Sequence, residues 1–155
     1  MKKIIILTIF LLANVLTAQE NSELMGRWKV NSVFDNDFYY KVENDSIVLS
    51  EKMKRRHKSA VGLQNYKATI RLENRGNIFE FKDKNQFHYS LSDKAIYPTF
   101  KGTFEVINNL ILLDVVNLAN IRVHKEASFY FKDKKLYLTM HLEVNSPTTY
   151  ILERI

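Results

Sequence analysis

Four histidines, His57, His88, His124 and His141, are the side chains of this 155-residue chain best suited to metal ligation or proton transfer near neutral pH. None stands in the His-x-His or His-x-x-x-His spacing that puts two imidazoles on one face of a strand or helix. His88 and His141 alternate opposite the apolar positions of their segments, so both are expected in solvent rather than across strands on a zinc ion. Asp114 interrupts Leu110-Ile111-Leu112-Leu113-Asp114-Val115-Val116, and a carboxylate on an inward face would mark a site. On a period of two, however, Ile111, Leu113 and Val115 turn inward and Asp114 outward. There is no cysteine nucleophile, no Gly-x-Ser-x-Gly and no phosphate-cradling glycine loop. The chain is therefore expected to be no enzyme and to hold no metal and no cofactor.

Two groups of residues point to binding instead. Lys52, Lys54, Arg55, Arg56 and Lys58 form a basic segment that could contact an anionic macromolecule or surface, or be the wet face of a helix. No aromatics interleave with it, which argues against nucleic acid. Phe79, Phe81, Phe87, Tyr89, Phe104, Phe129, Met140 and Tyr150 fall on apolar strand faces and are the candidate lining of an interior pocket. With so many rings and few inward glycines, side chains are expected to fill most of that interior, leaving at most a narrow apolar cavity. The Tyr89 hydroxyl would then orient a guest.

The elements that must carry these rings read as strands. Trp28, the lone tryptophan, opens a strand after Gly26, with Val30, Ser32 and Phe34 on its face and Arg27, Lys29 and Asn31 on the other. Residues 21–25 are expected to form one helical turn before it. Phe38–Val42 and Ser46–Leu49 flank a hairpin tip at Glu43-Asn44-Asp45. From Ser50 to Asn74 alternation gives way to Ala60, Leu63, Tyr66 and Ile70 at near-helical spacing. One helix over about 51–74 is expected, capped by Ser50, stopped by Gly76 and weakened or broken at Gly62. Hairpins follow, turning at Asp83-Lys84-Asn85, Asn108-Asn109 and Asp133-Lys134. Phe87, Tyr89 and Leu91 group together; so do Phe100, Gly102, Phe104 and Val106, then Phe129 and Phe131, then Leu136, Leu138, Met140, Leu142 and Val144. Thr148–Arg154 is the last strand, with Pro147 just outside it. The fold class is mainly β: a single antiparallel up-and-down barrel of eight to ten strands with one helical insertion, closed because closure removes sheet edges.

Residues 1–18 read as a signal peptide: Lys2-Lys3, the apolar run Ile4–Leu12 and a small residue, Ala18, at the cut. The run is too short to span a bilayer as a helix. Residues 19–155 then form one domain, exported to the periplasm or secreted, with cleavage between Ala18 and Gln19. Loss of Lys2 and Lys3 lowers the net charge from +6 to +4, which does not by itself require an anionic polymer partner. With no cysteine there is no disulfide, so stability rests on packing.

Leu24-Met25-Gly26-Arg27-Trp28-Lys29-Val30 resembles the Gly-x-Trp motif that opens the first strand of the lipocalin superfamily, in particular the small exported lipocalin-like domains of bacteria. Phe79-Glu80-Phe81-Lys82-Asp83, Phe100-Lys101-Gly102-Thr103-Phe104 and Tyr150-Ile151-Leu152-Glu153-Arg154 resemble later strands of that family. The resemblance spans most of 24–154 but lacks a helix after the last strand, and 50–75 is an insertion. It implies a monomeric calycin-type barrel that Gly26, Trp28 and Arg154 close, with the arginine laid across the indole. It also implies a small apolar ligand, bound without catalysis. The alternative is a packed barrel that binds an anionic macromolecule through 52–58.

Overall fold

The computed structural model describes residues 22–92, 94–140 and 146–155. The expected signal peptide and its cleavage site lie outside the described residues, as do His141, Leu142 and Val144.

Among the described residues ten strands occur: β1 Gly26–Phe34, β2 Phe38–Lys41, β3 Ser46–Leu49, β4 Ile78–Lys82, β5 Gln86–Ser90, β6 Phe100–Ile107, β7 Leu110–Asn117, β8 Arg122–Lys132, β9 Lys135–Met140 and β10 Thr148–Arg154. Two helices, α1 Glu51–Arg56 and α2 Ala60–Asn74, stand between β3 and β4. Every pairing is antiparallel. β10 returns to pair with β1, so eight strands (β1 and β4 to β10) close a barrel and the β2–β3 hairpin branches from it.

The branching has a local cause in β1. Its pairing with β10 runs Val30↔Leu152 and then Ser32↔Ile151, leaving Asn31 as a bulge. One edge of β1 pairs with β4 over Gly26–Lys29 and then with β2 over Ser32–Phe34. The bulge also shifts the alternation. Trp28, Val30 and Ser32 are buried as expected, but beyond Asn31 Val33 is fully buried as well, while Phe34 is half-buried against Tyr39, ring centroids 6.3 Å apart. The shared face expected for Trp28 and Phe34 is thus corrected.

The single helix expected over 51–74 is two. Ser50 caps α1, accepting from the Met53 amide at 3.3 Å, and Ser59 caps α2, accepting from the Gly62 amide at 3.0 Å. Gly62 therefore lies in a first turn, where it interrupts nothing; a second serine cap divides the segment. α2 ends at Asn74, two residues before Gly76. Met53 and Ile70 are the buried apolar anchors of the two helices.

The two ends of the barrel differ. Hairpins at Asp83-Lys84-Asn85, Asn108-Asn109 and Asp133-Lys134 close one end, with Lys84, Asn85, Asn108, Asp133 and Lys134 at positive φ. At that end the Arg154 Cζ sits 4.8 Å from the Trp28 ring centroid. The longer connections, residues 91–99 and 118–121, lie at the other end, the mouth. Leu91, expected beside Phe87 and Tyr89, lies past the end of β5 and is exposed.

Rings are layered along the axis. Trp28 and Phe131 lie at the closed end, centroids 5.9 Å apart. Phe81 meets Phe87 at 5.2 Å and Phe104 edge-on at 5.2 Å. Nearer the mouth Phe79 meets Tyr89 at 4.9 Å and Tyr150 at 5.1 Å. Such offset and edge-to-face pairs each add about 0.5–1.5 kcal/mol beyond area burial.

Candidate functional site

Toward the mouth the rings leave a cavity of about 220 Å³, lined by Phe79, Phe87, Tyr89, Phe100, Leu113, Val115, Lys125, Met140 and Tyr150. Seven strands, β4 to β10, contribute to that wall, so it is the interior of the barrel and not a surface groove. Alternation positions each side chain: Phe79 pairs with Tyr89, Tyr89 with Phe100, and Leu113 with Lys125 across neighbouring strands.

Five of the eight residues expected to line a pocket, Phe79, Phe87, Tyr89, Met140 and Tyr150, stand on this wall. Phe81, Phe104 and Phe129 do not. They point inward too, but deeper, where each is at most 4% exposed and packed in the filled half of the core. Side chains thus fill the lower half of the barrel, and a narrow cavity remains above them. Phe100, Leu113 and Val115 were legible as inward residues, yet their depth was not. Lys125 was missed altogether. Continuing the alternation of Phe129 backwards through Ala127 would have placed Lys125 and Val123 on the inward face.

The cavity's polar groups are few. Burial pushes the Tyr150 hydroxyl up to about 12, with the negative charges of Glu73 and Asp35 adding to it. Burial pushes the Tyr89 hydroxyl up further; Tyr150 adds to that shift, the Asn77 side chain opposes it and Glu73 adds a little more. Asn77 is fully buried, its Nδ2 donating to the Glu73 carbonyl at 2.7 Å, while its Oδ1 is buried without a partner.

The raised phenols carry a sign. A tyrosine whose folded pKa exceeds the ordinary 10.0 contributes stability below pH 10 that is lost as pH rises toward about 12. Stability to denaturant is therefore expected to fall over that interval, by up to about 1.4 kcal/mol per pH unit per tyrosine. Tyr150→Phe should flatten the slope when midpoints are compared across the range. Equal slopes in the two proteins would mean that this hydroxyl titrates alike folded and unfolded.

Outside the barrel, a more polar cleft of about 670 Å³ lies between β2, the helices and the start of β10, and Tyr150 borders it as well as the cavity. Asp35, Asp37, Arg56, His57 and Glu73 stand on its walls. The other chemical candidates lie apart. Asp114 faces outward, its Oδ1 3.1 Å from the Arg122 Nε and 3.5 Å from the His124 Nδ1. His88 sits on the outer face 3.5 Å from Glu80. Among the described residues no three of His, Asp and Glu gather as a metal would need.

The basic segment is partly neutralised. Lys52 pairs with Asp37 at 3.2 Å and Lys54 with Glu51 at 2.6 Å, which leaves Arg55, Arg56 and Lys58 as its members without an ion pair among the described residues. No helix among the described residues is long and apolar enough to cross a membrane. Compared with known proteins, the chain matches no family model, no curated protein and no solved structure.

Proposed function

We propose that this protein is an exported, lipocalin-like barrel that binds a small apolar ligand in its mouth-side cavity without catalysis. One observation carries the reading: an antiparallel barrel packed solid at one end keeps about 220 Å³ open at the other, walled by aromatic and aliphatic side chains. An apolar cavity of about 150 Å³ is enough to take up benzene, so this one suits a guest of about one ring with a short substituent. Tyr89, Tyr150 and Lys125 are the polar residues of the described wall and would supply the few polar contacts that fix a guest's orientation.

Native mass spectrometry of protein recovered from its own cells is expected to show an apolar molecule retained through purification. Toluene, added as a neutral probe, should bind the emptied protein. Val115→Phe, which fills the space from β7, should lose both while keeping the circular dichroism of the fold. Retention unchanged in Val115→Phe, or no guest and no toluene binding in the wild type, would overturn the reading.

A second reading rests on Arg55, Arg56 and Lys58, exposed around the end of α1. It makes the outer surface the working part, contacting an anionic macromolecule. Exchanging Arg55 and Arg56 for Glu decides it: retention on heparin falls if that surface is used and stays the same if it is not.

A further inference from the structure

Among the described residues Lys125 is the one charged side chain on the cavity wall, and we propose that it selects the guest: a compact carboxylate whose apolar body fills the cavity and whose anionic end meets the lysine. This rests on the barrel interior being the binding site, as proposed above.

The placement of Lys125 is set by the strand. In β8 the inward series runs Val123, Lys125, Ala127, Phe129, with Ala127 and Phe129 at 0% and 4% exposure, while Arg122, His124 and Glu126 face out and are exposed. Its partner across the ladder is Leu113, 4% exposed and itself on the wall. Lys125 itself is half-buried, so its stem lies along the apolar series while its ammonium keeps access to water at the mouth. Among the described residues no carboxylate pairs with it; the nearby acid of β7, Asp114, lies on the opposite face and is held by Arg122 and His124. Tyr89 and Tyr150 are the other polar residues among the described lining of the cavity, and burial keeps both phenols protonated. A cation beside a largely apolar wall complements a carboxylate better than a neutral guest, because charge-assisted hydrogen bonds are about twice as strong as neutral ones.

The size of the cavity limits the rest of the molecule. About 220 Å³ holds a single ring with a short acid arm, or an aliphatic acid of similar bulk, and excludes a long-chain lipid tail.

Calorimetric titration of the full-length protein, stripped of any guest, with phenylacetate and with its neutral amide, phenylacetamide, tests the assignment. The wild type is expected to bind the acid about tenfold or more tightly than the amide. Lys125→Met should bring the acid down to the level of the amide or below while the amide still binds. Lys125→Arg, which keeps the charge, should restore much of the preference and guards against a loss caused only by misfolding. Equal affinities in the wild type, or a preference that survives in Lys125→Met, would overturn the assignment while leaving an apolar binding site in place. Binding of neither compound would overturn the interior site itself, and the role of Lys125 with it.

Discussion

Trp28→Ala is expected to cost about 3–5 kcal/mol of folding stability, the range for truncating a large buried aromatic, which is a large share of the margin of a typical domain. The ring is 3% exposed, its Nε1 donates to the Leu24 carbonyl at 2.8 Å, and it packs on Phe131. Arg154, its register partner in β10, covers it and donates from Nη2 to the Met25 carbonyl at 2.9 Å and to the Glu23 carbonyl. One guanidinium thus joins the last strand, the indole and the chain entering β1. Gly26 permits the geometry: its φ of +127° is reached without strain only by glycine, and a Cβ there would find the Arg154 guanidinium at 3.8 Å, an ordinary contact.

Because the three parts share contacts, Trp28→Ala and Arg154→Ala should not add. A cation over an aromatic face is worth roughly 0.5–1 kcal/mol where, as here, the arginine is partly in solvent. The carbonyl bonds of Arg154 also need the entering chain held in place by Trp28. A double-mutant cycle read from denaturant midpoints is expected to give a coupling of about 1 kcal/mol or more. Strictly additive losses would show that the guanidinium lies over the ring without stabilising it.

The barrel is legible in the sequence because its strands and turns depend on short-range signals, whereas the closure of Arg154 over Trp28 comes from the resemblance of the two end strands and not from any local pattern. A period of two set the faces of β4 to β10. Asn and Asp at Asn85, Asn108 and Asp133, residues that tolerate positive φ, set the turns. The bulge at Asn31 was not legible: it inserts a residue against β10, more than a hundred positions away, and nothing local marks it. Gly62, the weaker helix former, marks a break in the sequence, but the signal that divides α1 from α2 is the cap at Ser59. Depth was the main loss for the site. Alternation tells in from out, but whether Phe81 or Phe79 borders the cavity is decided by stagger between neighbouring strands, which no single strand contains. Lys125 is hidden for another reason: a charged residue in an inward series looks like a break in the pattern, and only Phe129 and Phe131 mark the strand. Functional positions are where such local rules are expected to fail.

The same stagger makes Gly102 the second sensitive point. It sits in β6 between Phe87 of β5 and Val115 of β7 in the ladder. A Cβ built there would lie 2.1 Å from the Asp114 carbonyl oxygen and 2.7 Å from the Val115 Cα. Both are backbone atoms, so no rotamer change can relieve the clash; β6 and β7 would have to separate. Gly102→Ala, a change of one methyl, is therefore expected to cost about 3 kcal/mol or more, at the upper end for overpacking. Gly26→Ala is expected to cost less, because that site has room for the methyl and only its backbone angle resists. The site should feel the difference too. Phe100, two residues before Gly102, and Val115, its ladder partner, both wall the cavity, so parting these strands widens it. Gly102→Ala should then weaken toluene binding even at temperatures where the variant stays folded, whereas Gly26→Ala, at the closed end, should lower stability and leave binding as it was. A Gly102→Ala protein as stable as the wild type would mean that β6 and β7 do not approach as closely as described, and the shape of the cavity wall would have to be drawn again.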